Sequence, residues 1–256
     1  MISVVIPTLN AERRLAACLT ALVPAAVDGF VCEVIVADGG STDRTALVAD
    51  QAGATFISMT PGRGGQLRAG ARQARQPWLL FLHADTVLAT DWELEAAAFM
   101  GRVDSGEVGP SAATFRFALD DRGAAPRILE RLVALRRSVL ALPYGDQGLL
   151  MPRRLYDEIG GYRDMAMMED VDIVRRLGRR RLTALRTPAV TGAERYRHDG
   201  YLRRVLRNQL CLALYAGGAS LDYVARTYGS PVSGPAAQGT GPSVDETEIE
   251  HPGSQR

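Results

Sequence analysis

Across residues 1–90 the chain alternates short apolar, β-branched runs with stretches of helical periodicity, and every run ends in a polar or glycine-rich turn. Ser3–Ile6 stops at Pro7, Val31–Ala37 at Asp38-Gly39-Gly40, Thr55–Met59 before the glycine-rich loop Pro61–Gly65, and Trp78–Leu82 at His83-Ala84-Asp85. Continuous apolar runs of this length predict strands buried on both faces. Between them, Ala11–Leu22 carries Leu15, Cys18, Leu19 and Leu22 at helical spacing. Ser41 or Thr42 is placed to cap a helix reaching Gln51, with Asp43 at its positive end and Gly53 after it. Gln66–Arg75 forms the next helix. Strand–helix alternation at this spacing commits the chain to a parallel sheet with helices on both faces. Such a sheet holds ligands at the carboxyl ends of its strands, where Thr8, Asn10, Asp38 and Asp85 all fall.

Beyond residue 90 the pattern changes. Asp91–Gly101, Arg127–Leu142, Arg153–Ile159, Asp170–Arg180 and Tyr201–Tyr215 have helical periodicity. Ala112–Leu119 alternates as an edge or antiparallel strand, Gly145–Met151 is a turn entering a strand, and Arg179–Arg186 alternates into another. Residues 1–229 therefore form one domain with two halves, 1–90 and 91–229. Residues 230–256 are Pro, Gly, Ser and acid with almost nothing to bury, which predicts a disordered tail.

Composition removes several chemistries. All 30 positive side chains are Arg and none is Lys, which excludes a Schiff-base lysine and a P-loop. A net charge of +1 argues against a nucleic-acid partner. Cys18, Cys32 and Cys211 are odd in number and far apart, so neither a disulfide framework nor a zinc ribbon is expected, and a reducing, cytoplasmic setting fits. The start, MISVVIPTLN, has no basic segment or cleavage site, and no apolar run reaches the roughly 18 residues of a membrane span. In Tyr201–Tyr215, Arg203, Arg204 and Arg207 stand against Leu202, Val205, Leu206 and Leu210. The ordinary reading packs the leucines on the body and leaves the arginines in water; the alternative is peripheral contact with anionic lipid at the inner face of a membrane.

An isolated carboxylate at a strand end is usually a cap or a turn residue. Three such places, Asp38, Asp85 and Glu169-Asp170, point instead to a site that binds a cation, a ribose or base, and a proton. Gly62–Gly70 is not a dinucleotide fingerprint, since Leu67 stands where the third Gly of GxGxxG belongs.

The ordered motifs are VVIPTLN at 4–10, VIVADGGSTDRT at 34–45, GRGGQLRAGA at 62–71, LLFLHADT at 79–86, GDQG at 145–148 and MEDVDIVRRL at 168–177. Together they resemble the family 2 glycosyltransferases of GT-A fold, in a small bacterial subgroup similar to arsenosugar-biosynthesis-type members. The resemblance covers about 1–228. It implies an α/β fold with a mostly parallel central sheet, and a nucleoside-diphosphate sugar, UDP-linked by preference, as donor. Pro7, Thr8, Asn10, Glu12, Asp38, Gly64, Arg68, His83, Ala84 and Asp85 would line the donor site, with Asp38 on the base and Arg68 toward a phosphate. Asp85 would hold Mn²⁺ or Mg²⁺, and His83 stands where the family often has an Asp. Asp170 would be the general base with Glu169 beside it, giving inversion at the sugar carbon, and Gly145, Asp146 and Gln147 would shape the side of a small-molecule or lipid-linked acceptor hydroxyl. His198 reads as a surface or acceptor-loop residue, with metal contact as the alternative. Two other functions stay open: a nucleotide-binding scaffold without turnover, and a nucleotidyltransferase, which the first loop Pro7–Glu12 argues against.

Overall fold

A computed structural model describes residues 1–140, 147–165 and 167–229. The first half runs β1 (Ile2–Thr8), α1 (Glu12–Thr20), α2 (Val23–Val27), β2 (Val31–Asp38), α3 (Thr45–Gln51), β3 (Thr55–Ser58), α4 (Arg63–Gln73), β4 (Trp78–Phe81) and β5 (Thr86–Leu88). The second half continues with α5 (Trp92–Asp104), β6 (Ala112–Asp120), α6 (Ala124–Leu140), β7 (Leu149–Pro152), α7 (Arg153–Glu158) and α8 (Glu169–Leu177). After a 3₁₀ turn at Arg179–Arg181 come β8 (Leu182–Gly192), α9 (Glu194–Asp199), α10 (Tyr201–Ala216) and α11 (Leu221–Tyr228).

The eight strands form one sheet in the order β3-β2-β1-β4-β7-β6-β8-β5. The β3-β2-β1-β4 half is parallel, as the alternation requires. β7 then pairs antiparallel with both β4 and β6, β6 runs parallel to β8, and β5 closes the edge antiparallel to β8. Four of the seven pairings are thus parallel. Burial follows the pleat. Ile2, Val4 and Ile6 of β1 and Trp78 and Leu80 of β4 pack into one apolar cluster with Leu15, Leu22, Trp92 and Phe99. Val5 of β1 and Leu79 and Phe81 of β4 face a second cluster with Leu67, Met151, Tyr156 and Ile173. Period-2 alternation with both sets buried is what a sheet covered on both faces demands. Gly70 lets α4 lie directly on β1, because a Cβ there would collide with Val5.

Three expectations are corrected. β6 is antiparallel to β7, as one of the two readings had it, but it is not an edge: it is an interior strand, paired on its other side with β8. The third helix starts at Thr45 rather than beside Ser41 or Thr42; the Asp43 carboxylate accepts the Thr45 N–H at 3.0 Å, while the Ser41 hydroxyl is drawn away to Asp38. Helix α10 follows the ordinary reading only in part: Arg203 is exposed and Val205 packs against the cluster of Phe117 and Leu129, but Arg204 is turned inward and three leucines outward. Arg204 is 7% exposed, stacked 4.6 Å over the Tyr228 ring and paired with Asp199 at 3.2 Å, while Leu202, Leu206 and Leu210 are 73%, 60% and 52% exposed. β5, α2, α9 and α11 were not anticipated. Among the described residues no helix is long and apolar enough to cross a membrane. The expected tail 230–256 lies outside the described residues.

Candidate active site

The carboxyl ends of β1 and β2 are laced together by side chains. Asp38, 1% exposed, accepts from the Thr8 hydroxyl at 2.7 Å, the Ser41 hydroxyl, and the backbone N–H groups of Gly40 at 2.9 Å and Ser41 at 2.7 Å. Two carboxylate oxygens offer about four acceptor sites, so this group is fully used by its own loop and the end of β1. Asn10 turns the chain in the left-handed region at φ 51°, accepting the Thr42 N–H at 2.9 Å and donating its own N–H to Ser41 Oγ at 2.7 Å. Glu12 and Asp43 exchange contacts the same way: Glu12 Oε2 accepts the Arg44 N–H at 3.0 Å and Asp43 accepts the Glu12 N–H at 3.1 Å. Gln66, missed in the sequence, donates from Nε2 to the carbonyls of Thr8 at 2.8 Å and Ala37 at 2.7 Å, pinning both strand ends to α4. Its signal was a polar residue on the inward side of a helix that covers a parallel sheet.

These loops border an open cleft of about 860 Å³. Of the expected residues, Pro7, Thr8, Asn10, Glu12, His83, Ala84 and Asp85 line it. Asp38, Gly64, Arg68, Glu169 and Asp170 do not. Arg68 is exposed on α4, and the guanidinium of that helix which lines the cleft is Arg63. Gly145 and Asp146 lie outside the described residues; Gln147 is 1% exposed, and its side-chain amide has no hydrogen-bond partner among the described residues. The opposite side of the cleft comes from α9–α11 through Tyr196, Arg204, Asn208 and Tyr228, none of which the sequence pointed to as part of the site. His198 is exposed and paired with Asp199 at 2.9 Å.

Asp85 is about a quarter exposed and faces Arg14 of α1 at 3.4 Å; Arg14 also pairs with Glu194. His83, two residues earlier, has Nε2 at 3.7 Å from Asp170 Oδ2. Arg63 reaches Glu169 at 3.2 Å, and Tyr162 Oη faces Asp170 Oδ1 at 3.5 Å. Thus the carboxylate pair at the start of α8 meets the cleft through His83 and Arg63. Burial pushes the Tyr162 phenol well above its ordinary range, with Asp170 adding to it, so it stays neutral.

Two backbone features hold the pair there. Gly64 of α4 donates its N–H to the Met165 carbonyl at 3.0 Å, and a Cβ on Gly64 would overlap the Arg163 carbonyl oxygen and stand 2.9 Å from Met165 N and O. Met168 sits in the left-handed region at φ 64° immediately before Glu169. For a non-glycine residue this costs of order 1–3 kcal/mol, and such strain gathers at functional sites.

Burial raises the Glu169 carboxyl above its usual value, with Asp170 adding to the rise and Arg63 opposing it. A carboxyl with a higher pKa folded than unfolded favours the fold while protonated, and that contribution is lost as pH rises through the folded pKa. Glu169→Gln is therefore expected to raise the melting temperature at pH 7, with the gain over wild type vanishing below roughly pH 4. Thermal melts of both proteins across that range check it; a variant that melts lower at pH 7 would show that Arg63 more than compensates the burial.

The donor set fits a divalent cation in two ways. Asp85 is a hard oxygen ligand on the cleft, the kind that holds Mg²⁺ or Mn²⁺ together with substrate phosphates. His83, Glu169 and Asp170 each offer a ligand atom, all within 4.8 Å of one another. The second set already has the Arg63 guanidinium against it, so a cation there competes with an existing positive charge.

Comparison with known proteins agrees with this architecture. The sequence profile described as Glycosyl transferase family 2 matches residues 3–144. A PGL/p-HBAD biosynthesis glycosyltransferase of Mycobacterium tuberculosis is 31% identical over 175 residues, which is 63% of this chain and 63% of that protein. The chain thus spans less than two thirds of the length of these curated relatives. Glucosyl-3-phosphoglycerate synthase of Mycolicibacterium paratuberculosis is 35% identical over 95 residues, 34% of this chain and 29% of that one. The fold superimposes on the crystal structure of glucosyl-3-phosphoglycerate synthase from Mycobacterium tuberculosis with Mn²⁺ and UDP-glucose at a TM-score of 0.55, with 22% identity over 91% of this chain and 81% of that one. It also matches S. aureus TarS 1–349 at a TM-score of 0.58, with 16% identity over 89% and 69%.

Proposed function

The chain belongs to glycosyl transferase family 2, and on that premise we propose that its cleft transfers a hexose, with inversion, from a nucleoside-diphosphate sugar to an acceptor hydroxyl. The observation that carries the reading is the meeting of two elements: the His83-Ala84-Asp85 turn after β4 brings a cleft-lining carboxylate and, through His83, the Asp170 carboxylate to one place. Donor chemistry and proton removal need that proximity. The first loop, Pro7 to Glu12, borders the nucleotide, and Asp38 acts through the loop it ties down rather than by touching the base, since its acceptor sites are filled. UDP is the preferred nucleotide, in keeping with the UDP-glucose held by the similarly folded synthase.

Asp85 would hold Mn²⁺ or Mg²⁺, whose chemistry when bound is to neutralise charge on the leaving diphosphate. Asp170 accepts the acceptor's hydroxyl proton, with Tyr162 and His83 on its two oxygens to fix its direction. Arg63 balances the charge of Glu169 beside it. The acceptor lies on the α9–α11 side, against Tyr196, Tyr228 and Asn208.

Thermal melts with UDP, GDP, dTDP and CDP, each with and without Mn²⁺, test the donor site. One nucleotide at about a hundred times its Kd is expected to raise Tm by about 5–10 °C, only with metal and not in Asp85→Ala. No shift with any nucleotide would remove the donor site. A shift that survives Asp85→Ala would move the metal to the His83 cluster.

A further inference from the structure

We propose that the outward face of α10 docks on an anionic membrane surface and thereby sets the mouth of the cleft beside the lipid. The inference goes beyond sugar transfer and does not depend on it. Leu202, Leu206 and Leu210 recur every four residues along α10 and are 73%, 60% and 52% exposed. Residues four apart lie on one helix face, so these three make a continuous apolar line in water. Single exposed leucines are ordinary, and a line of them is not. The inward positions of the helix are taken by other residues, Val205 among them. Its Arg204 is buried against Tyr228 and Asp199, Arg207 is paired with Asp199, and Cys211 is buried, so the leucines have no alternative inward position.

The charge identifies the occupant. Helix α10 has no acidic residue along its 16 residues. Residues 194–229 carry six arginines against Glu194, Asp199 and Asp222, while the whole chain is only +1. Asp199 is consumed by Arg204 and Arg207. Arg203 is exposed next to the leucine line, and Arg226 is exposed on the helix packed against α10. Leucines that enter the headgroup boundary with arginines beside them are the pattern of an interfacial helix, and anionic headgroups supply the opposite charge. A helix of this length lies about 24 Å along the surface. A second copy of the chain fits less well: three leucines supply a few hundred Å², short of the roughly 800 Å² per partner of a stable interface. The same helix presents Arg204 and Asn208 to the cleft, so docking puts the α9–α11 side of the cleft at the bilayer.

The test is flotation of the full chain with vesicles of phosphatidylcholine alone and of phosphatidylcholine mixed with phosphatidylglycerol, at low and high salt. The wild type is expected to bind the mixed vesicles, with the bound fraction falling as salt screens the arginines, and to bind neutral vesicles at least tenfold less. Leu206→Glu/Leu210→Glu is expected to lose binding at least tenfold with an unchanged Tm, since both side chains already stand in water. Absence of binding, equal binding to both vesicle types, or full binding by the double variant would each overturn the proposal. A concentration-dependent dimer in sedimentation that the double variant abolishes, without vesicle binding, would assign the face to a second copy and also overturn it.

Discussion

Asp170→Asn is expected to lower the rate of sugar transfer by about 10²–10⁴, the usual contribution of a positioned general base, while leaving nucleotide binding intact. Asn has the same shape, so the neighbours at 3.5 Å (Tyr162) and 3.7 Å (His83) keep their places. What disappears is the ability to take a proton. Glu169 is no substitute: it is 1% exposed and held by Arg63, whereas the Asp170 side chain is 14% exposed. The loss should fall on kcat with KM for the donor little changed, because the interaction removed exists in the transition state. Transfer kinetics beside nucleotide-dependent thermal shifts on the same preparation make the distinction. Equal loss of nucleotide binding would instead make Asp170 part of the donor site, and unchanged transfer would remove it from the chemistry.

Gly64→Ala is expected to destabilise the protein by about 3 kcal/mol, lowering Tm by roughly 6–12 °C. The added methyl meets the carbonyl of Arg163 and the backbone N and O of Met165, none of which can swing aside, and it threatens the Gly64 N–H to Met165 bond. The segment displaced is the one that leads to Met168 and the Glu169-Asp170 pair, so transfer should fall along with stability. Gly62→Ala is the control: its Cβ would find only Asp164 Oδ1, at 3.9 Å, and its melting temperature should stay near wild type. Chemical or thermal denaturation of the two variants side by side checks this. A Gly64→Ala protein as stable as Gly62→Ala would show that the 163–165 segment moves freely.

How much was legible in the sequence follows from where the forces are local. The parallel half was readable because β1 and β4 are buried along their whole length and β2 from Ile35 to Asp38, and such runs have few alternatives. The second half was harder. Ala112–Leu119 gave the alternation of a strand but no indication that β8 would pair with it in parallel across a register shift. The start of α3 was misplaced because the two candidate caps, Ser41 and Thr42, stand beside Asp43, and a tertiary partner, Asp38, takes the Ser41 hydroxyl. Arg68 and Arg63 are equivalent by composition, and only the rotation of α4 on β1, fixed where Gly70 meets Val5, decides which faces the cleft. Gln66 and the α9–α11 side depend on contacts more than fifty residues apart in sequence, as in Gln66 to Thr8 with a separation of 58. The facing of α10 was invisible because periodicity gives a helix two faces without saying which one the body takes; the contacts of Arg204 with Tyr228 and Asp199 turned three leucines to solvent.

Nucleotide release from UDP-sugars in the presence of Mn²⁺, with water standing in as the hydroxyl that receives the sugar, tests the central claim most directly, measured on wild type and on Asp85→Ala as matched preparations. Turnover of at least one UDP-sugar by wild type, lost in Asp85→Ala, is the result that sugar transfer in this cleft predicts. UDP that binds tightly while no UDP-sugar is turned over would contradict it and leave the cleft a nucleotide-binding site without catalysis.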